Sequence, residues 1–368
     1  MPALLRPRMS DWTVVVPVLA VLLLLVTWNR ELPGPLVAVV AAFLAGAVLA
    51  AVHHAEVVAH KVGEPYGSLV LAVAVTVIEV ALIVTLMISG GDKTQALARD
   101  TVFAAVMITC NGILGLSLLL GALRRRVAVF NPEGTGGALA TVATLATLSL
   151  VVPTFTTSKT GPEFSPAQLA FAAVASLALY GLFVMVQTGR HRDYFLPVTG
   201  DGSAPDSDGD GHADPPSTRT AVTSLVLLLV ALVAVVGDAK TVSPTIEAGV
   251  AAANLPQAFV GVVIALLVLL PETLAAARAA RRDRVQISLN LALGSAMASI
   301  GLTIPAIALA SIWLDGPLLL GLGGTQLTLL ALTVVTGVLT VVPGRATVLQ
   351  GGVHLVLLAA FVFLAASP

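Results

Sequence analysis

The chain has 368 residues, of which 57% are apolar and 11% charged, with a mean hydropathy of +0.98. A soluble domain of this size carries roughly a quarter charged residues, so water is excluded as the main solvent of this one. A net charge of −1 also leaves no basic footprint for nucleic acid.

In chain order, eleven stretches are long and apolar enough to cross a hydrocarbon core about 30 Å thick. They run from about Trp12 to Trp28, Pro35 to Val52, Gly67 to Gly90, Thr101 to Leu123, Gly134 to Phe155 and Pro166 to Gln187. After a polar interruption come Thr220 to Val236, Pro256 to Arg278, Val285 to Ile312, Gly316 to Val342 and Ala346 to Ala365. The first follows Arg6 and Arg8 as a signal peptide would, but Trp28, Asn29 and Arg30 stand where a small-residue cleavage site belongs. It reads as a retained anchor.

With a cytoplasmic amino terminus, 14 of the 19 Lys and Arg residues fall on inner segments, and only Arg30, Lys93, Arg99, Lys159 and Lys240 fall outside. That bias predicts a multi-pass protein of the cell (inner) membrane with an external carboxyl terminus. Trp12, Trp28 and Trp313 lie at span ends, where interfacial anchoring places them. The single cysteine, Cys110, lies in an apolar span without a disulfide partner and reads as a small buried hydrophobe.

Eleven spans divide into one leading helix and two sets of five, and a tandem five-helix unit inserts upside down the second time. The spacing agrees. Glu56 precedes Pro65 by nine residues and Glu79 follows it by fourteen; Glu247 precedes Pro256 by nine and Glu272 follows by sixteen. The expected architecture is all-α: an anchor helix at 1–30, five-helix halves at 31–195 and 219–368, and an acidic cytoplasmic linker at 196–218.

Glu79 and Glu272 are the acids lying well inside these spans. A carboxylate in hydrocarbon is costly unless it faces a cavity, binds a cation or cycles protons, so the pair points to a cation transporter with its site near the midplane. Thr76 lies one turn before Glu79 on the same face, and Pro271 beside Glu272 removes a helix hydrogen bond, which predicts freed carbonyls there. Asn111, Ser295 and Ser299 on the following helices are candidate neutral ligands. Two desolvated carboxylates would hold protons until a divalent cation replaced them, and either state leaves the site near neutral.

The stretches GEPYGSLVLAVAVTVIEVALIV, Gly63 to Val84, and LLPETLAAARAARRDRVQISLNLALGSAMASIGLTIPA, Leu269 to Ala306, resemble the two alpha repeats of the calcium/cation:proton antiporters, especially the bacterial ChaA type. The resemblance, which extends over nearly the whole chain, implies export of cytoplasmic Ca²⁺ in exchange for external H⁺, with Glu79 and Glu272 as exchange carboxylates. It allows Na⁺ or K⁺ on the same fold. The broader family shows Gly-Asn before each glutamate, whereas here Val77-Ile78 and Leu270-Pro271 stand there. No cofactor is implied; Ca²⁺ enters as the transported substrate, and the lipid bilayer is the surrounding partner.

Other features carry weaker signals. His53, His54, Glu56 and His60 gather at the inner end of the second span, without the H-E-x-x-H register of a zinc hydrolase. A membrane-embedded zinc hydrolase is therefore the disfavoured alternative from another class. Glu56 and His60 are candidates for a proton path or gate, with Glu247 the matching acid in the second half. In the linker, Asp206, Asp208, Asp210, Gly211 and Asp214 match part of an EF-hand loop, but Ser217 stands where the bidentate glutamate belongs. A disordered acidic linker is the expected reading. His354, deep in the last span, is expected to be neutral and hydrogen-bonded to a neighbouring helix, with a proton relay as the alternative.

Overall fold

A computed structural model describes residues 12–28, 30, 32–63, 66–90, 95–196, 216–313 and 316–368. Among them are eleven helices: α1 (Trp12–Thr27), α2 (Gly34–Val62), α3 (Tyr66–Gly90), α4 (Leu97–Arg125), α5 (Pro132–Phe155), α6 (Pro166–Arg190), α7 (Thr218–Ala252), α8 (Phe259–Arg281), α9 (Val285–Ala310), α10 (Gly324–Val341) and α11 (Val348–Ala366). Nine of these described helices, α2 and α4 to α11, are long and apolar enough to span a membrane. The protein is an all-α, multi-pass membrane protein. The expected EF-hand-like linker and Pro65 lie outside the described residues.

Helix starts follow their sequence signals. Asn131 caps α5 by accepting from the Gly134 N–H at 3.0 Å, with Pro132 in the first turn. Ser165 with Gln168, and Thr347 with Gln350, form capping boxes at α6 and α11. Two helices outrun their apolar spans. α2 continues ten residues past Val52 and so carries the histidine cluster, and α7 runs 35 residues to Ala252, well past Val236.

The chain forms two compact units. The first contains α1, α2, α3 and α7. Here α7 packs along α2 and also meets α1 and α3. Val242 of α7 packs on Val37 and Val40 near the start of α2, with Leu23, Leu32, Ala41 and Ile246 around them. At the other end of α2, the His54 ring meets the Thr13 carbonyl of α1 at 2.9 Å.

The second unit contains α4 to α6 and α8 to α11. Its axis is α4, buried along most of its length. A π-helical turn at Ile108–Ile113 interrupts α4, and the Leu114 N–H reaches back to the Thr109 carbonyl. Such a turn inserts a residue and rotates the side chains beyond it. Small residues let the neighbours close on α4: a Cβ on Gly115 would lie 2.8 Å from the His354 Cβ of α11, and one on Gly261 of α8 would lie 2.8 Å from the Thr101 nitrogen. Two short strands, β1 (Ala128–Val129) and β2 (Arg345–Ala346), pair antiparallel and tie the loop after α4 to the loop before α11.

Candidate functional site

In the first unit, Glu79 is 4% exposed and Thr76 5%. They share one face of α3 with Ile83 and Leu86, while Val73, Val77 and Ile88 form the exposed face. The expected Thr76–Glu79 adjacency is therefore present as a buried polar step in an apolar stripe. Near the C-terminal end of α2, Glu56 and His60 are exposed and one turn apart. Glu247 lies near the opposite end of the α2–α7 pair, half-buried, and accepts from the Ser243 hydroxyl at 3.1 Å.

Glu272 belongs to the second unit. It is half-buried on α8, in the stripe that carries Ala265, Val268 and Ala276, with Leu266, Leu270 and Leu274 exposed on the far side. The helix runs through Pro271 without a break. Proline still lacks an N–H, so the Leu267 carbonyl one turn earlier loses its usual donor. The Thr273 hydroxyl donates to the Leu269 carbonyl at 2.7 Å.

The π turn carrying Asn111 packs against both α8 and α9, and α9 also carries Ser295, half-buried, and Ser299, 2% exposed. Asn111, Pro271, Glu272, Ser295 and Ser299 thus belong to one unit, and Glu56, His60, Thr76, Glu79 and Glu247 to the other.

Asn111 is engaged at both ends of its amide. Nδ2 donates to Thr333 Oγ1 at 2.9 Å, and Oδ1 meets His354 Nδ1 at 3.0 Å. His354 Nδ1 must then carry the proton, which makes Nε2 the acceptor for Thr340 Oγ1 at 3.1 Å. A neutral imidazole satisfies every partner in this chain of bonds, all of it 2% exposed or less. The expected neutral histidine bonded to a neighbouring helix is what the geometry contains.

The histidines of α2 diverge. His54 turns towards α1, while His60 faces out. Among the described residues no three His, Cys, Asp or Glu side chains are grouped to hold a metal ion.

Two buried acids were not singled out from the sequence. Asp100, in the first turn of α4, is 7% exposed and pairs with Arg99 Nε at 2.8 Å. Asp238 of α7 is 0% exposed. Its signal was available: Val235, Val242 and Ile246 continue the helical apolar period past the polar Gly-Asp-Ala-Lys stretch where the span was expected to end.

The profile of the sodium/calcium exchanger protein family matches residues 33–189 and 223–366. The chain belongs to that family. Exchangers of this kind are secondary transporters of cations rather than enzymes, which removes the hydrolase alternative. Among this exchanger's relatives is y4hA of Sinorhizobium fredii (strain NBRC 101917 / NGR234), an ionic transporter by name, 45% identical over 97% of this chain and 96% of that protein. The sodium-potassium/proton antiporter ChaA of Escherichia coli (strain K12) is 33% identical over 97% of this chain and 96% of that one. The structure of native YfkE superposes with a TM-score of 0.70 at 16% identity, covering 97% of this chain and 99% of that one. The H⁺/Ca²⁺ exchanger CAX gives 0.65 at 14%, covering 97% and 92%. At those identities the structural likeness carries the fold alone.

Proposed function

We propose that this exchanger exports Ca²⁺ from the cytoplasm in exchange for external H⁺, with Glu79 and Glu272 as the carboxylates that take either cation or protons. The observation that carries this is the placement of one acid in each unit, on the buried stripe of an apolar helix. A carboxylate withdrawn from water in this way persists only if its charge is cancelled by a proton or a metal ion. Ca²⁺ takes six to eight oxygens at about 2.3 to 2.6 Å, so neutral oxygens must supplement the acids. Thr76, Ser295 and Ser299, and the carbonyl freed by Pro271, are the candidates. Both Asn111 amide ends are already bonded within the second unit, which leaves it the role of orienting the π turn unless its carbonyl lone pair is shared.

Loaded with two protons or one Ca²⁺, two carboxylates are neutral, and the loaded forms cross with little desolvation cost. The bare, doubly charged form is too costly to move. Exchange is then obligatory, with two protons per Ca²⁺ the simplest ratio. Glu56 and His60 would receive ions on the cytoplasmic side, and Glu247 on the external side.

A second reading keeps the mechanism and changes the cargo to Na⁺ or K⁺. It is favoured by the name of the Escherichia coli relative, a sodium-potassium/proton antiporter. Purified protein in liposomes separates the two. An imposed proton gradient drives Ca²⁺ flux on the first reading and Na⁺ or K⁺ flux on the second. Glu79→Gln and Glu272→Gln each abolish exchange while the protein still inserts; exchange that survives either substitution would refute the carboxylate mechanism.

A further inference from the structure

The exchange reading leaves two buried acids unused: Asp100, which pairs with Arg99, and Asp238. Asp238 is 0% exposed, and neither of its carboxyl oxygens has a hydrogen-bond partner among the described residues. Its neighbours along α7 are apolar and buried: Ala234, Val235, Ala239 and Val242. On the adjoining α1, Leu24 fills the space where a Cβ on Gly237 would stand.

Among the described residues no base pairs with this carboxyl. The helices packed against α7 are α1, α2 and α3. The first carries no titratable side chain. On α2 the titratable groups are His53, His54, Glu56, His60 and Lys61, all in its last ten residues. His54 bonds Thr13, eleven residues from Leu24 and about 16 Å away along α1. The titratable group among the described side chains of α3 is itself an acid, Glu79. On α7, Glu247 bonds Ser243, and the exposed Lys240 holds its ammonium 5.2 Å from the centre of the Trp28 ring. Arg219 lies five turns away at the start of the helix.

An ionised carboxylate left buried without donors costs several kcal/mol. The neutral acid lacks only a partner for its hydroxyl and carbonyl, a far smaller cost. Asp238 is also close to an aqueous boundary: Lys240 and Trp28, two residues along α7 and at the end of α1, are exposed and mark the interfacial belt.

We propose that Asp238 is a proton-binding site, filled from the Lys240–Trp28 side of the membrane, whose occupancy sets how exchange responds to pH on that side. Its role in transport rests on the exchange reading above; its proton does not. Losing that proton requires water or a cation to reach the carboxylate, so release is tied to loosening of the α1–α2–α7 packing. By the charge bias the Lys240 side is external, the side from which an exporter that exchanges Ca²⁺ for H⁺ draws its protons.

The test has two arms on the full-length protein. Infrared difference spectra between acid and alkaline pH should contain a carboxylic-acid carbonyl band that Asp238→Asn diminishes and that the Glu79→Gln, Glu272→Gln double variant retains in that part. In proteoliposomes, Asp238→Asn should keep cation exchange but lose most of its dependence on pH at the Lys240 side. Identical band and pH profile in wild type and Asp238→Asn would overturn the proposal. So would failure of Asp238→Asn to fold, because the amide copies the shape and neutrality of the protonated acid. If wild-type protein moved no cation at all, the exchange reading would fall, and the infrared band alone would decide whether Asp238 carries the proton.

Discussion

The bonded chain Thr340–His354–Asn111–Thr333 links three helices in a part of the second unit closed to water. Truncating one member strands the others, at a cost of about 1–3 kcal/mol for a buried unsatisfied group. Asn111→Ala is therefore expected to lower the thermal midpoint of the detergent-solubilised protein, and His354→Ala to do the same. The two together should cost less than the sum, because they break the same bonds. How much of this was legible differs by residue. Glu79, Glu272 and Thr76 stand out in the sequence because charge or hydroxyl interrupts an apolar period. The neutral state expected of His354 followed from its depth in a span. Its partners did not, since Asn111 and Thr333 are 222 positions apart and only folding unites them. Asp238 was hidden by the polar stretch around it, which looks like the end of a helix and is instead its middle.

Among elements, α4 and α11 approach most closely where glycines face each other. A Cβ on Gly351 would lie 2.7 Å from the Leu119 nitrogen and 2.9 Å from its Cα, contacts with backbone that cannot move aside. A Cβ on Gly112 would meet the end of the Leu358 side chain at 3.0 Å, which can rotate away. Gly351→Ala should thus destabilise by about 1–3 kcal/mol, and Gly112→Ala by less, a ranking that thermal unfolding of the two variants measures. A Gly112→Ala penalty equal to or above that of Gly351→Ala would contradict the packing. The π turn at Ile108–Ile113 was not readable from sequence, because it leaves the apolar period of α4 nearly unchanged. Its small and polar content, Thr109, Asn111 and Gly112, was the visible trace. The extra ten residues of α2 were obscured by their histidines and glutamate, which dilute hydropathy without breaking the helix.

For the whole molecule, the charge bias predicts opposite exposure of its two ends of the last helix: a cysteine at Ser367 should react with an impermeant maleimide from outside intact cells, and one at Arg345 only after permeabilisation. The sole native thiol, Cys110, is 2% exposed and leaves the background clear. Reversed labelling would invert the direction assigned to transport. Removing Asp206 to Asp214 should leave the cation dependence of exchange unaltered, as a linker would and a calcium sensor would not. Flux assays with stepped Ca²⁺ report the difference. The length of α7 has a consequence of another kind. Thirty-five residues make a rod of about 52 Å, against hydrocarbon about 30 Å thick, so it must lean or protrude. In the second unit α10, with 18 residues, is a close fit. Thinning or thickening the host bilayer by choice of acyl chain therefore strains the two units unequally, and turnover should follow lipid thickness even when headgroup and surface charge are held constant.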